Sequence, residues 1–182
     1  MLKINLNGIW KLEMCGRDAE MMPEGGIDAK VPGSVYGAML DGGLIPDPYY
    51  RDNELKVLPL MDNDFSYTTD VQVTKEMLSF DALLLRFEGI DTLADVYLNG
   101  TLLGCAYNMH RVWEFDLLLA KGLHEGDNKL KVVLHSPTKY IEEENKKVYT
   151  GGSSDAMEGF PHLRKAHCMF GWDWGPRLPD AG

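Results

Sequence analysis

The sequence contains no apolar run approaching the ~20 residues that would cross a bilayer as a helix. Its start, MLKINLNGIWKLEM, carries no basic region followed by an apolar stretch, so no secretory signal is expected. Cysteine is scarce. Cys15, Cys105 and Cys168 are odd in number, far apart and never in a CxxC pair. That argues against a disulfide framework and leads us to expect a reducing, cytoplasmic setting. Positive charge is also in deficit, with 18 Lys and Arg against 28 Asp and Glu and a net charge of −10. A nucleic acid or an anionic membrane would call for a basic patch, so neither is expected as a partner. A neutral sugar is not disfavoured by this charge.

Chemical motifs are missing as well. No glycine run has the GxGxxG or GxxxxGK[ST] spacing that cradles phosphate, and no GxSxG or papain-like cysteine context is present. His162, His167 and Cys168 lie close in sequence, but without the closed ligand spacing of a zinc site. No metal or cofactor is expected. Acidic residues abound, yet no pair stands out as the acid and nucleophile of a glycosidase, which must sit about 5–5.5 Å apart in a retaining enzyme. No catalytic residue is nominated.

What is present is mostly β-structure. The chain has 182 residues, 45% hydrophobic and 25% charged, which suits one soluble globular domain spanning residues 1–182. In DFSYTTDVQV, Phe65, Tyr67, Thr69, Val71 and Val73 alternate with Ser66, Thr68, Asp70, Gln72 and Thr74, the period of a half-buried strand. The same alternation groups Trp10, Leu12 and Met14; Leu83, Leu85 and Phe87; Trp113, Phe115 and Leu117; and Leu130, Val132 and Leu134. LADVYLNGTLLG reads as a hairpin, because Asn99-Gly100 suits a two-residue loop with positive φ at both positions. That reading is preferred to glycosylation at the Asn99-Gly100-Thr101 acceptor pattern. Two short helices are expected. One lies in SVYGAML, capped by Ser34 and stopped by Gly42-Gly43. The other lies in SPTKYIEEENKKVY, capped by Ser136 with Pro137 in its first turn. Short amphipathic strands with turns between them indicate an antiparallel β-sandwich.

The hexapeptide GWDWGP, residues 171–176, is the exception to this ordinary patterning. An indole matches the C–H face of a pyranose. A carboxylate accepts charge-assisted hydrogen bonds from neighbouring sugar hydroxyls. The glycines permit a sharp turn and Pro176 fixes its exit. The alternative is a buried aromatic corner in which Asp173 caps local amides. The motif alone leaves both readings open.

Several segments in order, VPGSVYGAML, GLIPDPYYRDNE, FEGIDTLADVYLNG, NMHR and RKAHCMFGWDWGPRL, resemble the N-terminal sugar-binding domain of β-mannosidases of glycoside hydrolase family two. The resemblance covers nearly the whole chain. It implies a galactose-binding-domain-like jelly roll at the head of a longer multidomain glycosidase, with the catalytic glutamates on a TIM barrel beyond this domain. It implies that Asp173 binds hydroxyls of a terminal β-mannoside, with Trp172 as pocket wall and Trp174 as a support. Arg51, Asp52, Asn53, Glu54, Asn108 and Arg111 are expected to fix loops, and Arg164 and Lys165 to brace the GWDWGP loop against local acids. Relatives continue with a strand of the type GIWRPV, whereas this sequence ends at LPDAG. The expectation is therefore a sandwich lacking its last strand, and an isolated chain that self-associates. A stand-alone carbohydrate-binding module, or the same domain from a β-galactosidase or exo-glucosaminidase relative, is the alternative.

Overall fold

The structure, a computed structural model, describes residues 2–151 and 155–182, with the side chain of Trp172 excepted. Six strands form one antiparallel sheet in the order β2-β1-β3-β8-β5-β6. They are β1 (Gly8–Cys15), β2 (Ile27–Val31), β3 (Asp64–Val73), β5 (Leu93–Leu98), β6 (Thr101–Tyr107) and β8 (Gly126–Leu134). Between β3 and β5 in sequence lies β4 (Leu84–Phe87), which pairs with β7 (Trp113–Asp116) as a second, two-stranded sheet. The two sheets share one core, an antiparallel β-sandwich. Trp10, Leu12, Met14, Phe65, Tyr67, Leu130, Val132 and Leu134 of the larger sheet are buried in the same cluster as Leu85 of β4 and Phe115 of β7. The approach is close at Gly104 of β6, where a Cβ would stand 2.7 Å from the Phe115 ring.

The alternating patterns form the faces they predict. Leu84 points outward at 56% exposure while its neighbour Leu85 is buried. One departure lies in β3, where Ser66 is fully buried although it is on the polar side of the alternation; the Cys15 thiol lies 3.8 Å from its hydroxyl. The β5–β6 hairpin turns at Asn99 (φ 48°) and Gly100 (φ 78°). The Asn99 side chain is committed to structure: its amide donates to the Gly122 carbonyl and to Asn128, each at 2.8 Å.

Helix α1 (Val35–Asp41) begins where Ser34 accepts from the Gly37 amide at 3.2 Å. A short α2 spans Glu54–Val57. Helix α3 (Pro137–Lys147) begins at Ser136, whose hydroxyl accepts from the Lys139 amide at 3.1 Å. Among the described residues beyond α3 the chain forms no long element. It is held instead by a second cluster in which Ile141 of α3 packs with Phe160, Leu163 and Phe170. That cluster seats the segment leading into the GWDWGP loop.

Candidate functional site

Residues 172–174 form a single 3-10 turn that leaves Asp173 exposed and Trp174 57% exposed. The side chain of Trp172, the expected pocket wall, lies outside the described structure. Backbone pairing closes the neck of the loop. Phe170 bridges Arg177, Ala156 bridges Gly171, the Met157 amide donates to the Phe170 carbonyl at 2.9 Å, and the Leu178 amide donates to the Met169 carbonyl at 2.9 Å. The flanking glycines differ in kind. Gly171 has φ 91°, and a Cβ there would stand 2.7 Å from both Arg177 Cγ and the Asp155 carbonyl oxygen. Gly175 is extended, with φ 163° and open space around it. Only the first of the two is required by the backbone.

The GLIPDPYYRDNE segment reaches this loop. Arg177 donates to the Glu54 carboxylate from its backbone N–H at 3.3 Å, from Nε at 3.3 Å and from Nη2 at 3.0 Å. The neighbouring residues fix their own loop. The Asn53 amide donates to the Asp47 carbonyl at 2.9 Å and its oxygen accepts from Lys56 Nζ at 2.8 Å. Arg51, at φ 55°, lays its guanidinium 5.1 Å from the centre of the Tyr50 ring. Asn108 accepts from the His110 amide at 2.9 Å, and Arg111 sits 4.8 Å over the Trp113 ring. The hydrogen bonds of Asn53 and Asn108 are loop-fixing contacts of the expected kind, whereas the contacts of Arg51 and Arg111 are with aromatic rings. The Glu54–Arg177 link was not foreseeable, because 123 residues separate the partners.

Lys165 is buried and donates to both the Asp91 carboxylate and the Asp180 carbonyl. It thus braces the segment that follows the GWDWGP loop, through Asp91 as the paired acid. Arg164 is exposed and contributes through its backbone, accepting from the Met109 amide at 3.0 Å. Burial pushes the Lys165 ammonium below its ordinary pKa against the pull of Asp91. Burial likewise raises Asp180, whose carboxylate accepts from the Tyr36 amide at 2.9 Å and the Ala181 amide at 2.8 Å.

Among the described residues, two of the concavities lie elsewhere. One, about 420 Å³, opens between the larger sheet and α3 and is lined by Asp64, Asp95, Cys105, Tyr107, His135 and Lys139 among others. The other, about 260 Å³, lies between the sheets beside Trp10, Tyr67, Phe87, Ile90 and Met109. Neither contains Asp173. Asp173 and Trp174 thus present an exposed carboxylate and a partly exposed indole outside both concavities. Among the described residues no group of three or more His, Cys, Asp or Glu is arranged to hold a metal ion.

Residues 10–182 match the family described as "Glycosyl hydrolase 2 galactose-binding domain-like". The chain belongs to this family. Among curated proteins, this glycosyl hydrolase 2 domain is 32% identical to a β-mannosidase of Bos taurus, over all of the chain and 21% of that enzyme. It is 30% identical to a β-mannosidase of Mus musculus, over 98% of the chain and 20% of the enzyme. Among solved structures it is similar to a β-D-mannosidase from Dictyoglomus thermophilum, with a TM-score of 0.89 and 39% identity over 100% of this chain and 22% of that one. A β-glucuronidase from Bifidobacterium dentium is matched at a TM-score of 0.50 and 28% identity over 71% of the chain and 19% of the enzyme. The domain thus spans about a fifth of the length of the β-mannosidases it matches.

Proposed function

We propose that this chain is the sugar-binding N-terminal domain of an exo-acting β-mannosidase, and that the full-length protein hydrolyses terminal non-reducing β-D-mannose residues. The observation that carries this reading is the loop 171–176, which projects Asp173 and Trp174 into solvent from a closed backbone neck. A carboxylate held this way accepts two hydrogen bonds from adjacent sugar hydroxyls, and an indole offers the apolar face. In this reading both catalytic carboxylates come from a TIM-barrel domain of the same protein, as the resemblance to glycoside hydrolase family two implies. The enzyme needs no metal or cofactor for this chemistry: the domain orients the sugar, and a carboxylate pair breaks the glycosidic bond.

The likeness to a β-D-mannosidase over the whole chain, against a partial likeness to a β-glucuronidase, favours mannoside over the other β-glycosides. The strands wind as a jelly roll in this reading. The cytoplasm is the proposed compartment, since Cys15, Cys105 and Cys168 are all free and exposed. A panel of aryl β-glycosides offered to the full-length protein tests the function. Hydrolysis of the mannoside well above the galactoside, glucuronide and glucosaminide is expected. A preference for one of the others would reassign the domain to a different glycosidase, and sugar binding without any hydrolysis would make it a binding module.

A further inference from the structure

We propose that Glu54 is a positioning residue for Asp173, acting through Arg177; this rests on the sugar-binding reading of the loop. Arg177 touches the loop at both ends. Its backbone pairs with Phe170 at the neck, and its Cγ lies where a side chain on Gly171, the entry residue, would have to go, 2.7 Å from an ideal Cβ. Whatever holds Arg177 therefore holds entry and exit together. Glu54 does so in two ways at once. Its carboxylate takes the guanidinium and also the Arg177 backbone N–H, so both the side chain and the main chain of the exit residue are fixed to the first turn of α2.

The pair is only partly buried, with side-chain exposures of 22% for Glu54 and 40% for Arg177. A half-exposed ion pair adds little to global stability. Its effect lies in the placement of Asp173. Shifting a substrate-holding group by about 1 Å can cost on the order of a hundredfold in rate, so a strut of small thermodynamic weight has a large kinetic one. The GLIPDPYYRDNE and GWDWGP segments then form one unit, the first setting the reach of the second.

The test uses the full-length protein and the variants Glu54→Ala, Glu54→Gln, Asp173→Ala and the Glu54→Ala/Asp173→Ala double variant. Glu54→Ala is expected to lower kcat/KM on an aryl β-mannoside by about 10-fold or more, chiefly through KM, with little change in Tm. Glu54→Gln recovers part of the loss, because an amide oxygen still accepts from Arg177. The double variant is no worse than Asp173→Ala alone, since Glu54 acts only through that residue. Amide hydrogen exchange, followed by mass spectrometry, quickens over 171–176 in Glu54→Ala while peptides of β3 and β8 stay as in the wild type. Unchanged exchange in the loop, or losses that add independently in the double variant, would overturn the strut. A wild-type protein that cleaves no β-mannoside sinks the proposed function instead, and the exchange measurement still decides the strut.

Discussion

Lys165 Nζ donates to the Asp91 carboxylate with the lysine side chain only 1% exposed. The same ammonium donates to the Asp180 carbonyl. Near this pair the Asp91 backbone exchanges hydrogen bonds with Gly182, the Asp91 amide donating at 2.6 Å and the Gly182 amide at 2.9 Å. One buried cation thus fastens residues 178–182 against the start of β5. Removing one partner of a buried pair costs about 3–5 kcal/mol, because the other charge is left without compensation. Lys165→Met should lower the urea midpoint by an amount corresponding to that cost. Asp91→Asn, which keeps a polar acceptor, should cost less. An unchanged midpoint in Lys165→Met would show that the pair contributes nothing.

His135 joins two strands electrostatically. Its Nδ1 lies 3.3 Å from Asp64 of β3 and its Nε2 lies 3.1 Å from Asp95 of β5. Only the imidazolium can donate to both. Burial pushes the His135 pKa down, but the bonds to Asp95 and Asp64 outweigh it and the net shift is upward. Burial pushes Asp95 up, and the bonds from Cys105 and His135 outweigh that and hold it low. The raised histidine contributes stability that is complete below its unfolded pKa, about 6.5, and is lost as pH rises through the higher folded value. The lowered aspartate contributes above its unfolded pKa of about 3.9 and is lost as pH falls through the folded value. The clamp is therefore strongest between about pH 4 and 6.5. The histidine side chain is 40% exposed, so solvent screening keeps the contribution to about 1 kcal/mol or less. Urea midpoints across pH should show His135→Gln losing most, relative to wild type, inside that window. A pH-independent difference would contradict this assignment.

The two glycines of the GWDWGP loop should respond differently to alanine. Gly171→Ala forces a side chain into positive φ and into contact with Arg177 and Asp155, a strain of about 1–3 kcal/mol. Gly175→Ala meets open space in an extended backbone, and its effect should stay within about 0.5 kcal/mol. Thermal unfolding of the two variants measures the difference. Equal effects would mean that the neck does not restrain the loop.

Among the described residues, both strands of the smaller sheet are edges, as are β2 and β6 of the larger one. Ile9, Leu84 and Leu102 are exposed on or beside them, at 62%, 56% and 49%. Unpaired edges with apolar side chains invite strand addition. Residues 1–182 produced alone should associate with rising concentration in sedimentation velocity. A monodisperse monomer at high concentration would count against it.

The strands were legible because each places apolar side chains on one side only, as Leu85 and Leu84 show, and because Asn99-Gly100 dictates a turn. The helix caps at Ser34 and Ser136 were legible for the same local reason. Ser66 was misread as a solvent-side residue because alternation assigns a face but not what covers it. The candidate site was marked in the sequence only by the hexapeptide itself. Glu54 and Lys165 are ordinary charges in sequence, and their partners Arg177 and Asp91 are brought to them by the fold alone.

The most direct test of the central claim, that Asp173 binds the sugar, is the Asp173→Ala variant of the full-length protein on an aryl β-mannoside, with Tm recorded beside it. Loss of charge-assisted hydrogen bonds to substrate, each worth about 1.5–3 kcal/mol, should lower kcat/KM by about 10-fold or more, and an exposed side chain should leave Tm unchanged. Retained activity with a lowered Tm would contradict the account and make the two tryptophans and their aspartate a structural corner.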